Sequence, residues 1–163
     1  MGKPSGRHLT LIDHVNRLVG HLRRLTHAVI VFDHIHRDVH AQHARRAQDL
    51  GIHVVPRSEL RKRSIESIWA EAISIAGAGG AGIHVDFDMD VCDRSVVPAC
   101  PAAAPGGISA DELRQFAYLA GYSSLVKSLD ITEVDATADA PDGRTVRLSA
   151  LVLLEAAAGL ASR

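Results

Sequence analysis

The chain has 163 residues, 47% of them apolar and 23% charged, which is enough to bury one core and too little for two ordinary domains. Eighteen Lys and Arg stand against nineteen Asp and Glu, a formal net charge of −1. That balance argues against a general nucleic-acid or anionic-membrane binder, either of which needs a basic surplus.

In chain order, Leu9 to Leu25 carries apolar residues at helical spacing, and Ala28 to Phe32 (AVIVF) reads as a buried strand. Val39 to Leu50 is helical in pattern and stops at Gly51, a residue suited to a helix C-terminus. Ile52 to Val55 is expected as a short strand closed by Pro56. Ser64 to Ala76 is expected as a helix with Ile65, Ile68, Trp69, Ala72 and Ile75 on one face. Ile83 to Asp88 reads as a strand that runs into acidic residues. The Pro/Ala/Gly-rich stretch from Asp93 to Gly107 reads as a loop. Ser109 and Glu112 form a capping-box pattern at the head of a helix to Ala120. A strand from Leu125 to Ile131, a loop from Val134 to Gly143 and a helix from Thr145 to Ala161 complete the pattern. Helices and strands that alternate in this way predict an α/β fold of three layers, α/β/α, with a mostly parallel sheet. In such sheets the chemistry gathers at the carboxyl ends of the strands.

No apolar run reaches the roughly 18 residues of a spanning helix, and MGKPSGRHLT lacks the apolar core of a secretory signal. Cys92 and Cys100 are the only cysteines; two free thiols and a cytoplasmic setting are the expectation. Nine of the ten histidines lie within residues 8–53. The Gly77–Gly82 tract follows a helix and lacks the lysine of a phosphate-binding loop.

The most informative stretch is His84-Val85-Asp86-Phe87-Asp88-Met89-Asp90-Val91-Cys92-Asp93. Four aspartates in eight residues suit a strand interior poorly, because Asp is depleted there and a buried carboxylate is costly. At a strand end they suit a hard cation, Mg²⁺, Mn²⁺ or Ca²⁺; the plainer alternative is a solvated acidic turn. An EF-hand loop is excluded by the missing Gly and Glu at its sixth and twelfth positions.

Asp88-x-Asp90-x-x-Asp93, then Pro98, then Gly106-Gly107, resembles the signature of the ureohydrolase family, which includes arginase, agmatinase and formimidoylglutamase. Leu129-Asp130-Ile131-Thr132-Glu133-Val134 and Asp142-Gly143-Arg144-Thr145 resemble two further blocks of that family, in the right order. The resemblance covers about residues 27–163 and makes the whole chain, 1–163, a single partial domain matching the family's carboxyl-terminal half, with an incomplete sheet. It implies manganese-dependent hydrolysis of a linear amidine or guanidine C–N bond, a small guanidino or formimino substrate and a homo-oligomer, with no nucleic-acid or membrane partner. It implies a two-manganese centre with Asp88 and Asp90 as ligands, Glu133 against the cationic substrate group, and Asp93 orienting the metal shell or the proton transfer. Such a centre acidifies water so that it attacks at neutral pH.

Several positions depart from the family pattern. Arg94 stands where a proline is usual, which predicts a less rigid turn, and Asp135-Ala136 replaces Asn-Pro. His40 replaces the acidic residue that arginases use on the substrate, so formimidoylglutamase-like or agmatinase-like chemistry is the closer expectation. The family's first-half motifs G-G-D-H and D-x-H-x-D are not found. His34 and His36, just after the AVIVF strand, are the candidates for substitute ligands, against a polar surface loop. His84 is expected to be packed. A chain without those motifs is expected to bind manganese weakly and turn over little. The alternative is a truncated, catalytically silent remnant that acts as a binding or assembly partner. A haloacid-dehalogenase-type hydrolase is disfavoured, because its Asp-x-Asp pair opens the chain and here the pair lies mid-chain.

Overall fold

The structure, a computed structural model, describes residues 45, 47–80 and 82–163. Ala47 to Asp49 close a helix whose end is set by Gly51 at φ 70°. The Gly51 and Ile52 amides donate back to the Gln48 and Ala47 carbonyls, the Schellman pattern that a left-handed glycine permits. The segment 52–55 is not a strand. No described residue pairs with it, and a strand exists only through its ladder. Instead Val55, 2% exposed, drops into the core ahead of Pro56.

Helix α1 runs Ile65–Ala76 and is capped by Ser64, whose hydroxyl accepts from the Ser67 amide at 3.2 Å. Strand β1 (Ile83–Asp88) leads through the acidic turn and the long loop to helix α2 (Ala110–Tyr122). The Ser109 and Glu112 side chains exchange bonds with each other's amides there, the capping box read from the sequence. Strand β2 (Val126–Thr132) follows, and helix α3 (Arg144–Ala161) ends the chain.

β1 and β2 are parallel, with partners running from His84↔Ser128 to Asp88↔Thr132. Parallel neighbours need a crossover, and α2 supplies it. The described residues therefore form a β-α-β unit extended by α1 and α3. Period-two alternation puts Ile83, Val85 and Phe87 on the core side of β1 and His84, Asp86 and Asp88 on the other. Ile68, Met89, Val97, Leu113 and Val152 are among the core side chains almost without solvent contact. α2 and α3 touch backbone to backbone, since a Cβ on Gly121 or Gly159 would meet main-chain atoms of the facing helix. Trp69 of α1 meets Phe116 of α2 at 6.4 Å between ring centroids. No helix among the described residues is long and apolar enough to cross a membrane.

Candidate functional site

The carboxyl ends of β1 and β2 lie side by side because the strands are parallel and in register. β1 ends at Asp88, whose carboxylate accepts from the Asp90 amide at 3.1 Å and so caps a single 3-10 turn, Met89–Val91. Met89 is fully buried and anchors that turn, which leaves Asp88 and Asp90 together at the rim. β2 ends at Thr132, and Glu133 follows with φ 61°, the single described residue other than glycine in the left-handed region. That conformation costs a non-glycine residue about 1 kcal/mol or more and recurs where a side chain must be aimed.

These carboxylates act on one another. Burial pushes the Asp88 carboxyl well above the ordinary carboxylate range, and Asp90 and Glu133 push it the same way. Asp90 is also raised, by burial first and then by Glu133 and Asp86. Asp86 is raised by burial, against the stabilising bond that the Thr132 hydroxyl donates to it at 2.9 Å. The charges that act on Asp88 and Asp90 are thus other carboxylates. Hard, half-buried oxygen donors whose charged neighbours among the described residues are carboxylates fit a divalent oxygen-seeking cation. Asp88 and Asp90 alone are two ligands, and among the described residues no group of three or more His, Cys, Asp or Glu is arranged to hold a metal.

Asp93 sits differently. One carboxylate oxygen accepts from the Ser95 amide at 2.9 Å and the Ser95 hydroxyl at 2.6 Å, and the other accepts from the Gly106 amide at 2.7 Å. The Asp93 amide donates to the Ile108 carbonyl at 2.9 Å, and the Ile108 amide donates to Val91. Asp93 therefore clamps the two ends of the loop between β1 and α2. The Gly-Gly pair is explained by the same clamp: Gly106 adopts φ 98°, and a Cβ on Gly107 would collide with the Cys92 and Asp93 backbone. Arg94 also braces this loop. Its guanidinium donates to the carbonyls of Cys100 (2.7 Å) and Pro101 (3.2 Å), so the turn expected to lose rigidity with its proline is tied by a side chain instead.

The Asp142-Gly143-Arg144-Thr145 block is scaffolding as well. Gly143 takes φ 63° ahead of α3, and fully buried Thr145 accepts from the Ala99 amide at 3.1 Å, fastening the loop to the helix. Asp139, not singled out by the sequence pattern, caps α3 through the Thr145 and Val146 amides. Asp135, in place of the usual Asn, accepts from the Thr137 amide and hydroxyl and holds the following turn.

Cys92 and Cys100 are free and fully buried. Burial pushes each thiol up to about 12, so both stay protonated and serve as packing. His84 is not packed: it is exposed, with Nδ1 2.8 Å from the Ser128 hydroxyl and Nε2 3.2 Å from Asp130 across the strand pair. His34, His36 and His40 lie outside the described residues. The structure thus gathers Asp88, Asp90 and Glu133 and keeps Asp93 in the loop clamp.

A family model for the arginase family matches residues 26–159. The formimidoylglutamase of Halalkalibacterium halodurans is 36% identical over 108 residues, which are 66% of this chain and 34% of that protein. Among solved structures, a formiminoglutamase of Trypanosoma cruzi with Mn²⁺ superposes with a TM-score of 0.78 at 23% identity, over 96% of this chain and 53% of its own. The formimidoylglutamase of Bacillus subtilis gives a TM-score of 0.75 at 24% identity, over 99% of this chain and 49% of its own. The fold is therefore that of these α/β proteins, and the chain spans between a third and about half of the length of these relatives.

Proposed function

This chain belongs to the arginase family, and on that footing we propose that it supplies one side of a manganese-dependent site that hydrolyses a linear amidine or guanidine. The closest activities are those of a formimidoylglutamase or an agmatinase. The observation that carries the reading is the pairing of Asp88 and Asp90 at the end of β1 with Glu133, held left-handed, at the end of the adjacent β2.

Asp88 and Asp90 would hold manganese through hard carboxylate oxygens. Manganese, when bound, supplies water acidified enough to act as a nucleophile near neutral pH. Glu133 would bind the amidinium or guanidinium of the substrate by charge-assisted hydrogen bonds, a contact suited to carboxylate oxygens. The aspartates suit a metal, and the Glu133 carboxylate suits a cationic substrate. Asp93 acts at one remove, by fixing the loop that follows the ligands. The relatives' names favour a formimino over a guanidino substrate.

A chimera tests this. In the Bacillus subtilis formimidoylglutamase, residues 82–163 of this chain would replace the segment that they superpose on. Formamide release from an N-formimino amino acid is the expected result, lost on Asp88→Asn and reduced at least about a hundredfold on Glu133→Gln. A second reading is favoured by the short span of the chain relative to its relatives: a catalytically silent assembly partner. A folded, manganese-loaded chimera that releases nothing would favour that reading.

A further inference from the structure

Glu133 keeps φ 61° without being a glycine. Such a backbone persists only where the chain is fixed on both sides of it. Upstream, Thr132 is fixed by the ladder, where its partner is Asp88. Downstream, Val134 packs against the core, and the Asp135 amide donates to the Ala99 carbonyl at 2.9 Å. Part of the downstream hold therefore comes from the loop between β1 and α2.

Ala99 is fully buried, and both of its backbone groups are engaged. Its carbonyl takes the Asp135 amide, and its own amide donates to the Thr145 hydroxyl at 3.1 Å. Thr145, at the head of α3, is the one buried polar side chain among the described residues. Valine has nearly the same shape, so what the hydroxyl adds there is an acceptor for an amide that water does not reach. Without that acceptor the Ala99 amide must seek another, and turning residues 98–100 to find one takes the carbonyl away from Asp135.

The same stretch is tied back towards the aspartates. The Val96 amide donates to the Asp93 carbonyl at 2.8 Å, and the Cys100 amide to the Val97 carbonyl at 3.0 Å. At Ala99 the segment that follows Asp88 and Asp90 thus meets the segment that follows Glu133.

We propose that Thr145 is a positioning residue for Glu133. Its hydroxyl fixes Ala99, and Ala99 fixes the chain two residues beyond Glu133, so that this carboxylate keeps its left-handed backbone and its place beside Asp88 and Asp90. Thr145 acts through the backbone alone. The role rests on the reading of Glu133 as the group that meets the cationic substrate, and adds to it the side chain that aims Glu133.

NMR of the purified full chain in chelator tests the coupling without any turnover. In the unmodified chain Glu133 should show the strong amide-to-Hα cross-relaxation within one residue that marks a left-handed backbone. Thr145→Val should weaken that signal and speed exchange of the Asp135 amide at least about tenfold relative to the amides of β1. Thr145→Ser, which keeps the hydroxyl, should restore both. If Thr145→Val does not fold, Thr145→Ala takes its place. In the Bacillus subtilis chimera, Thr145→Val should raise KM at least about fivefold with manganese content unchanged. A chimera that releases nothing even without the substitution counts against the activity reading, and the NMR result still decides the coupling. An unchanged Glu133 signal and Asp135 exchange in folded Thr145→Val, equal damage in Thr145→Ser, or a KM effect that follows loss of manganese would each overturn the role of Thr145.

Discussion

Asp93 and the pair Asp88 and Asp90 lie within six residues of chain and are built on opposite principles. Asp93 receives three hydrogen bonds, from Ser95 and Gly106, and closes a loop. Asp88 and Asp90 sit among other carboxylates, and burial and repulsion push both upward. The first carboxylate is surrounded by donors, whereas burial and like charge penalise the ionised form of the second pair. A satisfied carboxylate holds a fold together, whereas a mutually repelling pair at a strand end suits the cation site proposed above. The ureohydrolase signature combines both kinds in one string of residues, and the structure separates them.

On that division, the largest effects on stability come from the clamp. Gly107→Ala has no room for its methyl group and should cost about 3 kcal/mol or more, read as a shifted urea midpoint. Asp93→Ala leaves the Gly106 amide and the Ser95 groups without their acceptor, and about 2–3 kcal/mol of loss is expected in the same experiment. A loss below about 0.5 kcal/mol in either variant would mean that the loop is held by something else.

The frustrated pair should respond with the opposite sign. The folded-state pKa of Asp88 lies above its unfolded value, so the metal-free protein loses stability as pH rises from the ordinary carboxylate range through that raised value. Asp88→Asn escapes this loss. It should be about 1–2 kcal/mol more stable than the unmodified chain at pH 8, and the advantage should vanish by about pH 4. Denaturation in chelator at the two pH values checks it; a destabilised variant at pH 8 would erase the contrast with Asp93. Ser109→Ala, which opens the capping box of α2, serves as a reference at about 1 kcal/mol of loss with no pH dependence across that window. The smallest effect is at Glu133. Replacement by Gly relieves the left-handed backbone and should stabilise by about 0.5–1 kcal/mol, again in chelator. A loss there would show that the side chain holds β2's end in place.

Much of this was legible beforehand. The helix starts at Ser64 and Ser109 follow from side chains that bond amides three residues on, which is local chemistry. β1 and its acidic end follow from β-branched and aromatic residues that give way to aspartate. The order of the motif blocks pointed to the arginase family, whose model matches residues 26–159. What escaped was non-local. The loop contacts of Asp93 leave no mark in the composition; its second partner, Gly106, is thirteen residues away and meets it through loop closure. The left-handed Glu133 has no compositional mark. Ile52 to Val55 has strand-like residues, yet no described partner makes it a strand. His84 was expected to be packed, but strand alternation turns it to the polar face beside Ser128 and Asp130.

Manganese titration of the purified chain, followed by calorimetry beside circular dichroism, tests the division of labour most directly. Asp88→Asn and Asp90→Asn should each abolish the binding shown by the unmodified chain while the fold is retained. Asp93→Asn should weaken the fold and leave manganese affinity per folded molecule unchanged. Binding that survives in Asp88→Asn and Asp90→Asn, or that is lost in a well-folded Asp93→Asn, would contradict it.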